Sequence, residues 1–255
     1  MKDSYQERLS AGESLIAIGY SGRACGKDVS EDFFDLACPS LEDWEARGLV
    51  FAIADGVSGG GGRRAAETCV RTVLSDFYAT PLAWDIARRL DRIIGALNAW
   101  IASHNARAAE SECMLSTLSV LVLHGAQFYA GHVGDSRIYR LRGGHCECLT
   151  TDHVWPRADM RHVLRRAVGL DQHLVVDCFS DAVQPGDRFL MVTDGVWEVL
   201  GETGLRAVLA AASEPEAMAE ALVQRSAERQ RSYYGHNDAT AAVVEVRAIA
   251  ESVAA

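Results

Sequence analysis

At 255 residues and 49% hydrophobic, the chain can bury a substantial core, and its composition permits one large domain or two small ones. Its formal net charge of −10 argues against a general nucleic-acid binder, because affinity for the phosphate backbone comes from Lys and Arg. Residues 1–14 lack the apolar stretch of a secretory signal and no apolar run approaches bilayer length, so the expectation is a cytoplasmic protein with no membrane partner.

Residues 14–20, 33–38 and 49–54 are short apolar runs between polar or Gly-rich breaks and read as strands. Two long helices follow. Ala66, Val70, Val73 and Phe77 recur at helical spacing in the first. Thr80-Pro81 then has the form of an N-cap followed by Pro, opening a second helix striped by Ala87, Leu90, Ile94, Leu97 and Ile101. Strands 118–124 and 128–133 are joined around Gly125, and 137–149 reads as a hairpin turning at Gly143-Gly144. A short helical stretch near 161–167 precedes a strand at 188–193. Ser213-Glu-Pro-Glu216 has capping-box spacing before a C-terminal helix, and 241–246 closes the chain as a strand.

This order does not alternate strand and helix throughout. It predicts an α+β fold of two mostly antiparallel sheets packed together with helices outside. Without an internal repeat or a Pro/Ser-rich linker, residues 1–255 read as a single domain with a core of about 14–247. The seven cysteines include no C-x-x-C pair, and Cys146 and Cys148 lack further ligands at zinc spacing. They are expected to be free and mostly buried, in a reducing cytosol.

Several apolar strands run into an aspartate. Residues 49–54 lead into Asp55-Gly56, 189–193 into Asp194-Gly195, and 128–134 into Asp135-Ser136-Arg137. Asp238 precedes the closing strand, and Glu31-Asp32 the second one. A carboxylate against so apolar a strand is costly to bury unless positive charge meets it. Gly after Asp allows a sharp turn that brings a backbone carbonyl near the same point. A single Asp-Gly marks a turn; recurrence points to a common site whose hard oxygens suit Mg²⁺ or Mn²⁺ rather than zinc.

These residues resemble the PPM-type (type 2C) metal-dependent serine/threonine protein phosphatases. Blocks appear in the family's order: Ser30-Glu31-Asp32, Ala54-Asp55-Gly56, Ser116-Thr117 and Val133-Gly134-Asp135-Ser136-Arg137. Then come Leu149-Thr150-Thr151-Asp152-His153, Arg166-Ala167-Val168-Gly169, Thr193-Asp194-Gly195 and Asn237-Asp238-Ala239-Thr240. The resemblance implies a four-layer α-β-β-α sandwich and two cations, with a third in bacterial members. It implies Asp55 as the carboxylate bridging two metals, with the Gly56 carbonyl on one and Asp194 and Asp238 on the other. Glu31 and Asp32 would act through metal-bound water, and Asp135 would serve the third ion, which Asp194 shares. Two divalent ions about 3.5–4 Å apart acidify a shared water and clamp an in-line displacement, so phosphorus is attacked without a phosphoenzyme.

The sequence also departs from the family. Lys27 stands four residues before Glu31, where an arginine usually grips the substrate phosphate; it keeps the charge but not the bidentate fork. Val57 occupies the position where many eukaryotic members have a histidine acid, leaving the proton donor unassigned. His132 and His153 are expected to be structural. The Gly59–Gly62 run reads as a strand-to-helix turn, and Ala239 removes a hydrogen bond that Asn would supply. The short chain between His153 and Arg166 implies a reduced flap and altered substrate choice. Its spacing resembles a bacterial subgroup fused to a serine/threonine kinase. The implied partners are a phosphorylated protein substrate and a cognate serine/threonine kinase.

Other chemistries fit less well. No cysteine has Arg six positions later, as a cysteine phosphatase requires. Gly56-Val57-Ser58-Gly59-Gly60 matches a G-x-S-x-G elbow, but no HGGG-type oxyanion loop accompanies it. Lys27, Val57 and Ala239 keep open a catalytically weak, phosphatase-like regulatory domain. The trio Asp55, Asp194 and Asp238 weighs against it.

Overall fold

The computed structural model describes residues 15–59, 61–160, 162–231 and 236–249. Chain order begins β1 (Ile16–Arg23), β2 (Asp32–Leu36), α1 (Leu41–Arg47), β3 (Leu49–Asp55), α2 (Gly62–Ala79) and α3 (Ile86–Asn105). It continues β4 (Leu118–His124), β5 (Gln127–Val133), β6 (Arg137–Arg142), β7 (His145–Cys148), β8 (Asp177–Ala182) and β9 (Arg188–Val192), then α4 (Asp194–Ala211), α5 (Pro215–Gln230) and β10 (Ala239–Val246).

Among the described residues the strands form two five-stranded sheets, β1-β10-β9-β6-β7 and β2-β3-β4-β5-β8. Every pairing is antiparallel. β3 shows why the layers stack. Its alternate residues Leu49, Phe51 and Ile53 pack between the sheets, while Val50, Ala52 and Ala54 meet α2 and α3. Burial on both faces accounts for its unbroken apolar run. On the far side, Leu190, Val192, Ala241 and Val243 receive α4 and α5 through Val196, Leu205, Met218 and Leu222. The expected α-β-β-α sandwich is therefore present. Phe51, fully buried between the sheets, would cost about 3–5 kcal/mol if cut to Ala.

Several local expectations are corrected. Thr80 ends α2 rather than opening α3, its hydroxyl donating to the Phe77 carbonyl over 2.7 Å. The N-cap of α3 is Asp85, whose carboxylate accepts the Arg88 N–H over 2.8 Å. Glu214 takes the cap of α5 and Pro215 its first turn, so the capping box at Ser213 slips by one residue and no side chain closes it. The described part of 161–167 is not helical. Its backbone bonds to the segment before it instead, with Trp155 N–H donating to Val163 O and Arg165 N–H to His153 O. α1, capped by Ser40, and α4, broken at Gly201 (φ 63°), were not anticipated. Ser14, expected to start the first strand, lies outside the described residues. All seven cysteines are free, but only Cys25 and Cys69 are buried; Cys146 and Cys148 sit on edge strand β7. Among the described residues, no helix is long and apolar enough to cross a membrane.

Candidate metal centre

The two sheets bring their acidic ends to one rim. Asp32 and Asp55 lie opposite each other in the β2–β3 register. Asp194 is the first residue of α4, separated from β9 only by Thr193, where the helix N-terminus favours negative charge. Asp238 immediately precedes β10. A cleft of about 670 Å³ is lined by Lys27, Asp55, Gly56, Asp135, Asp194 and Asp238. Glu31 and Asp32 do not line it, but Glu31 accepts a hydrogen bond from Lys27 and Asp32 pairs with Asp55, both of which do.

Hydrogen bonds to or from the backbone hold Asp55, Asp238 and Asp135. The Asp55 N–H donates to Thr117 Oγ1 over 2.8 Å, and its carbonyl accepts from Thr117 N–H and the Ser116 hydroxyl. A Cβ on Gly56 would meet the Gly62 carbonyl at 2.0 Å, so only glycine fits there. Asp238 Oδ1 accepts the Cys25 N–H over 3.0 Å and Oδ2 the Glu31 N–H over 2.7 Å. Asp135 follows Gly134 (φ 108°), which exchanges two bonds with His153. The Trp197 indole donates to the Asp135 carbonyl over 2.9 Å.

Side chains crowd like charge. Burial, then the charges of Asp32, Asp194 and Asp135 and a hydrogen bond to Asp194, push Asp55 well above the carboxylate range. Burial raises Asp32 to about 7, against hydrogen bonds from Thr240 and Thr193. Asp135 is likewise raised to about 7 by burial and the Asp194 charge. Asp194 is raised chiefly by burial. Among the described residues, two buried oxygens, Asp32 Oδ1 and Asp194 Oδ1, have no hydrogen-bond partner. Groups this costly to ionise fit a divalent cation. Among the described residues, no three His, Cys, Asp or Glu side chains gather closely enough to hold an ion by themselves. A cation here would also draw on a backbone carbonyl such as that of Gly56 and on water, as hard cations commonly do.

Lys27 reaches Glu31, the Ser58 hydroxyl at 3.0 Å and Asp238 Oδ2 at 3.4 Å. Burial works against its charge, but the Glu31 bond and the neighbouring acids hold its pKa above the ordinary value. Ser58 donates to Glu31 over 2.6 Å, so the G-x-S-x-G match is an acid-contacting turn, and among the described residues no histidine meets its hydroxyl. His132 and His153 are buried. The Gly134 N–H donates to His153 Nδ1, so Nε2 carries the hydrogen and donates to Asp177 over 2.9 Å. Burial lowers His132 to about 4 and also lowers His153, in keeping with structural roles.

The sequence reading missed the supports. Asn237 Nδ2 donates to Asp194 Oδ2 over 2.7 Å, and Thr193 Oγ1 to Asp32 Oδ2 over 2.8 Å. Each neighbours a candidate acid in sequence, the one signal that could have found it.

The family described as Protein phosphatase 2C matches residues 27–234. Probable protein phosphatase 2C 71 of Arabidopsis thaliana is 26% identical over 243 residues, 84% of this chain. The chain spans about half the length of that relative, 53%. Serine/threonine phosphatase stp of Listeria monocytogenes is 27% identical over 216 residues, covering 77% of this chain and 84% of that protein. Among solved structures, PppA of Pseudomonas aeruginosa, described as a key regulatory component of T6SS, aligns with a TM-score of 0.75 and 28% identity. That alignment covers 91% of this chain and 98% of PppA.

Proposed function

The chain belongs to the protein phosphatase 2C family of metal-dependent protein phosphatases, and from that premise we propose that its acidic cleft hydrolyses phosphoserine and phosphothreonine in proteins. Asp55 would bridge two cations, with the Gly56 carbonyl on one and Asp194 and Asp238 on the other. Glu31 and Asp32 would act through water, and Asp135 with Asp194 would hold a third ion. The all-oxygen set suits Mn²⁺ or Mg²⁺. When bound, the ions supply an acidified water for in-line attack and positive charge for the phosphoryl oxygens.

The observation that carries this reading is the pair of unpartnered buried oxygens on Asp32 and Asp194 beside Asp55, which burial makes costly to ionise. The rest falls to the chain itself. Lys27 would present its ammonium to the substrate phosphate. Val163, Leu164 and Leu170, on the cleft wall, would shield the site from water and touch residues flanking the phosphoresidue. We read residues 1–255 as one domain in the cytoplasm, where free thiols suit the reducing conditions. The substrate would be a phosphoprotein made by a serine/threonine kinase.

Hydrolysis of a phosphothreonine peptide, measured with and without Mn²⁺ and with Asp55→Asn as control, tests the proposal. Activity that survives EDTA, or survives Asp55→Asn intact, overturns it. The engagement of Lys27 with Glu31 and Asp238 favours one second reading, a phosphatase-like regulatory domain. Stoichiometric Mn²⁺ binding without turnover would select it.

A further inference from the structure

We propose that Gln230 is a positioning residue that sets the separation of Asp194 and Asp238, and with it the affinity of the cleft for a divalent cation. The inference rests on the reading of these two aspartates as ligands of one ion.

Gln230 is the last residue of α5, only 2% exposed, and it lines the cleft. Both ends of its amide are used. Oε1 accepts the main-chain N–H of Asn237 over 2.7 Å, and Nε2 donates to the Gly195 carbonyl over 3.2 Å. Gly195 immediately follows Asp194, and Asn237 immediately precedes Asp238. One side chain thus ties together the two turns that carry the acids. The Asn237 side chain closes the ring by donating to Asp194 Oδ2 over 2.7 Å.

The surroundings leave the ring little freedom. Ser226, one turn earlier on α5, also donates to the Gly195 carbonyl and lies 3.2 Å from Gln230 Nε2. A Cβ on Gly195 would meet the Asp238 carbonyl at 2.0 Å, so the two turns are already in contact. In an interior this densely packed, a shift at the amide passes to the acids rather than being absorbed. A helix cap alone would not require an amide reaching two separate turns. Groups that orient ligands from behind typically alter metal affinity 10–100-fold when removed.

The test titrates Mn²⁺ into the full chain by calorimetry, comparing wild type with Gln230→Met, Asn237→Ala, the double variant and Asp194→Asn. Gln230→Met is expected to weaken Mn²⁺ binding by about tenfold or more, with kcat recovering at saturating Mn²⁺. Because both substitutions open the same ring, the double variant should lose less than the product of the single losses. A folded Gln230→Met protein with wild-type Mn²⁺ affinity overturns the inference, whatever its Tm. If that variant does not fold, Gln230→Glu decides by the same criterion, since its carboxylate keeps the acceptor for the Asn237 N–H but loses the donor to Gly195. Asp194→Asn separates the two levels. If it binds Mn²⁺ like wild type, the ligand assignment itself fails; if it weakens binding while Gln230→Met does not, only the role of Gln230 fails.

Discussion

The hydroxyl of Thr193 donates to Oδ2 of Asp32 across 2.8 Å, joining the two sheets at the rim that carries the acids. Thr193 follows β9 of one sheet and Asp32 opens β2 of the other. The same hydroxyl accepts the buried Thr240 N–H over 3.1 Å. Replacing Thr193 with Val keeps the shape, loosens Asp32 and leaves that N–H without its acceptor. A loss of about 1–3 kcal/mol in urea unfolding is expected, together with weaker Mn²⁺ binding. A stability equal to wild type would show that the bond contributes nothing.

Asp55→Asn should abolish Mn²⁺-dependent hydrolysis and, in the same protein without metal, raise Tm. The substitution removes one ionisable acid from a group whose members disfavour each other's charge, and with it the cost of either ionising or protonating that acid in the fold. Each kcal/mol of relief corresponds to a Tm about 2–4 °C higher in a domain of this size. Calorimetry in EDTA reads the effect, and a lower Tm would contradict the crowding.

His132 gives a pH dependence away from the acids. Burial first, and then His153, depress its pKa from 6.5 to about 4. A depressed pKa means that the unfolded chain binds the proton more readily. Stability from this group is therefore fully present above pH 6.5 and is lost as pH falls from 6.5 through about 4. The slope is about 1.4 kcal/mol per pH unit for one proton. His132→Gln should flatten the unfolding profile in that window, and an unchanged slope would exclude His132 as its source.

Lys27 separates phosphate grip from chemistry. Lys27→Met should raise KM for a phosphothreonine peptide about tenfold, the equivalent of one charge-assisted hydrogen bond, while changing kcat less. Lys27→Arg should hold KM at or below the wild-type value, because its planar fork suits a phosphate better. An unaltered KM in Lys27→Met would assign phosphate binding elsewhere.

Asp55 and Asp194 were legible because each follows an apolar run, and Asp238 because it stands just before one, where one-dimensional pattern and three-dimensional place coincide. The sandwich was legible for a similar reason, through β3 and the long stripes of α2 and α3. Gln230 was not legible, since its amide acts 35 residues away on Gly195 through folding alone. Thr80 misled because a threonine hydroxyl serves either end of a helix, and only Asp85 offers its carboxylate to an amide at the start of α3. α4 was not anticipated because Gly195, Gly201 and Gly204 interrupt its helical pattern, although in the fold Val196, Leu205 and Val208 pack under the sheet.

Asp32 and Asp55 belong to one sheet, and Asp194 and Asp238 flank strands of the other. A cation held among them would rivet the two layers as well as serve the reaction. Binding only to the folded chain at 100 times its dissociation constant, it would add about 2.7 kcal/mol against unfolding. Metal starvation would then silence the protein twice, by stopping turnover and by exposing the opened chain to proteolysis. The supply of one ion would set both the rate per molecule and the number of molecules that survive.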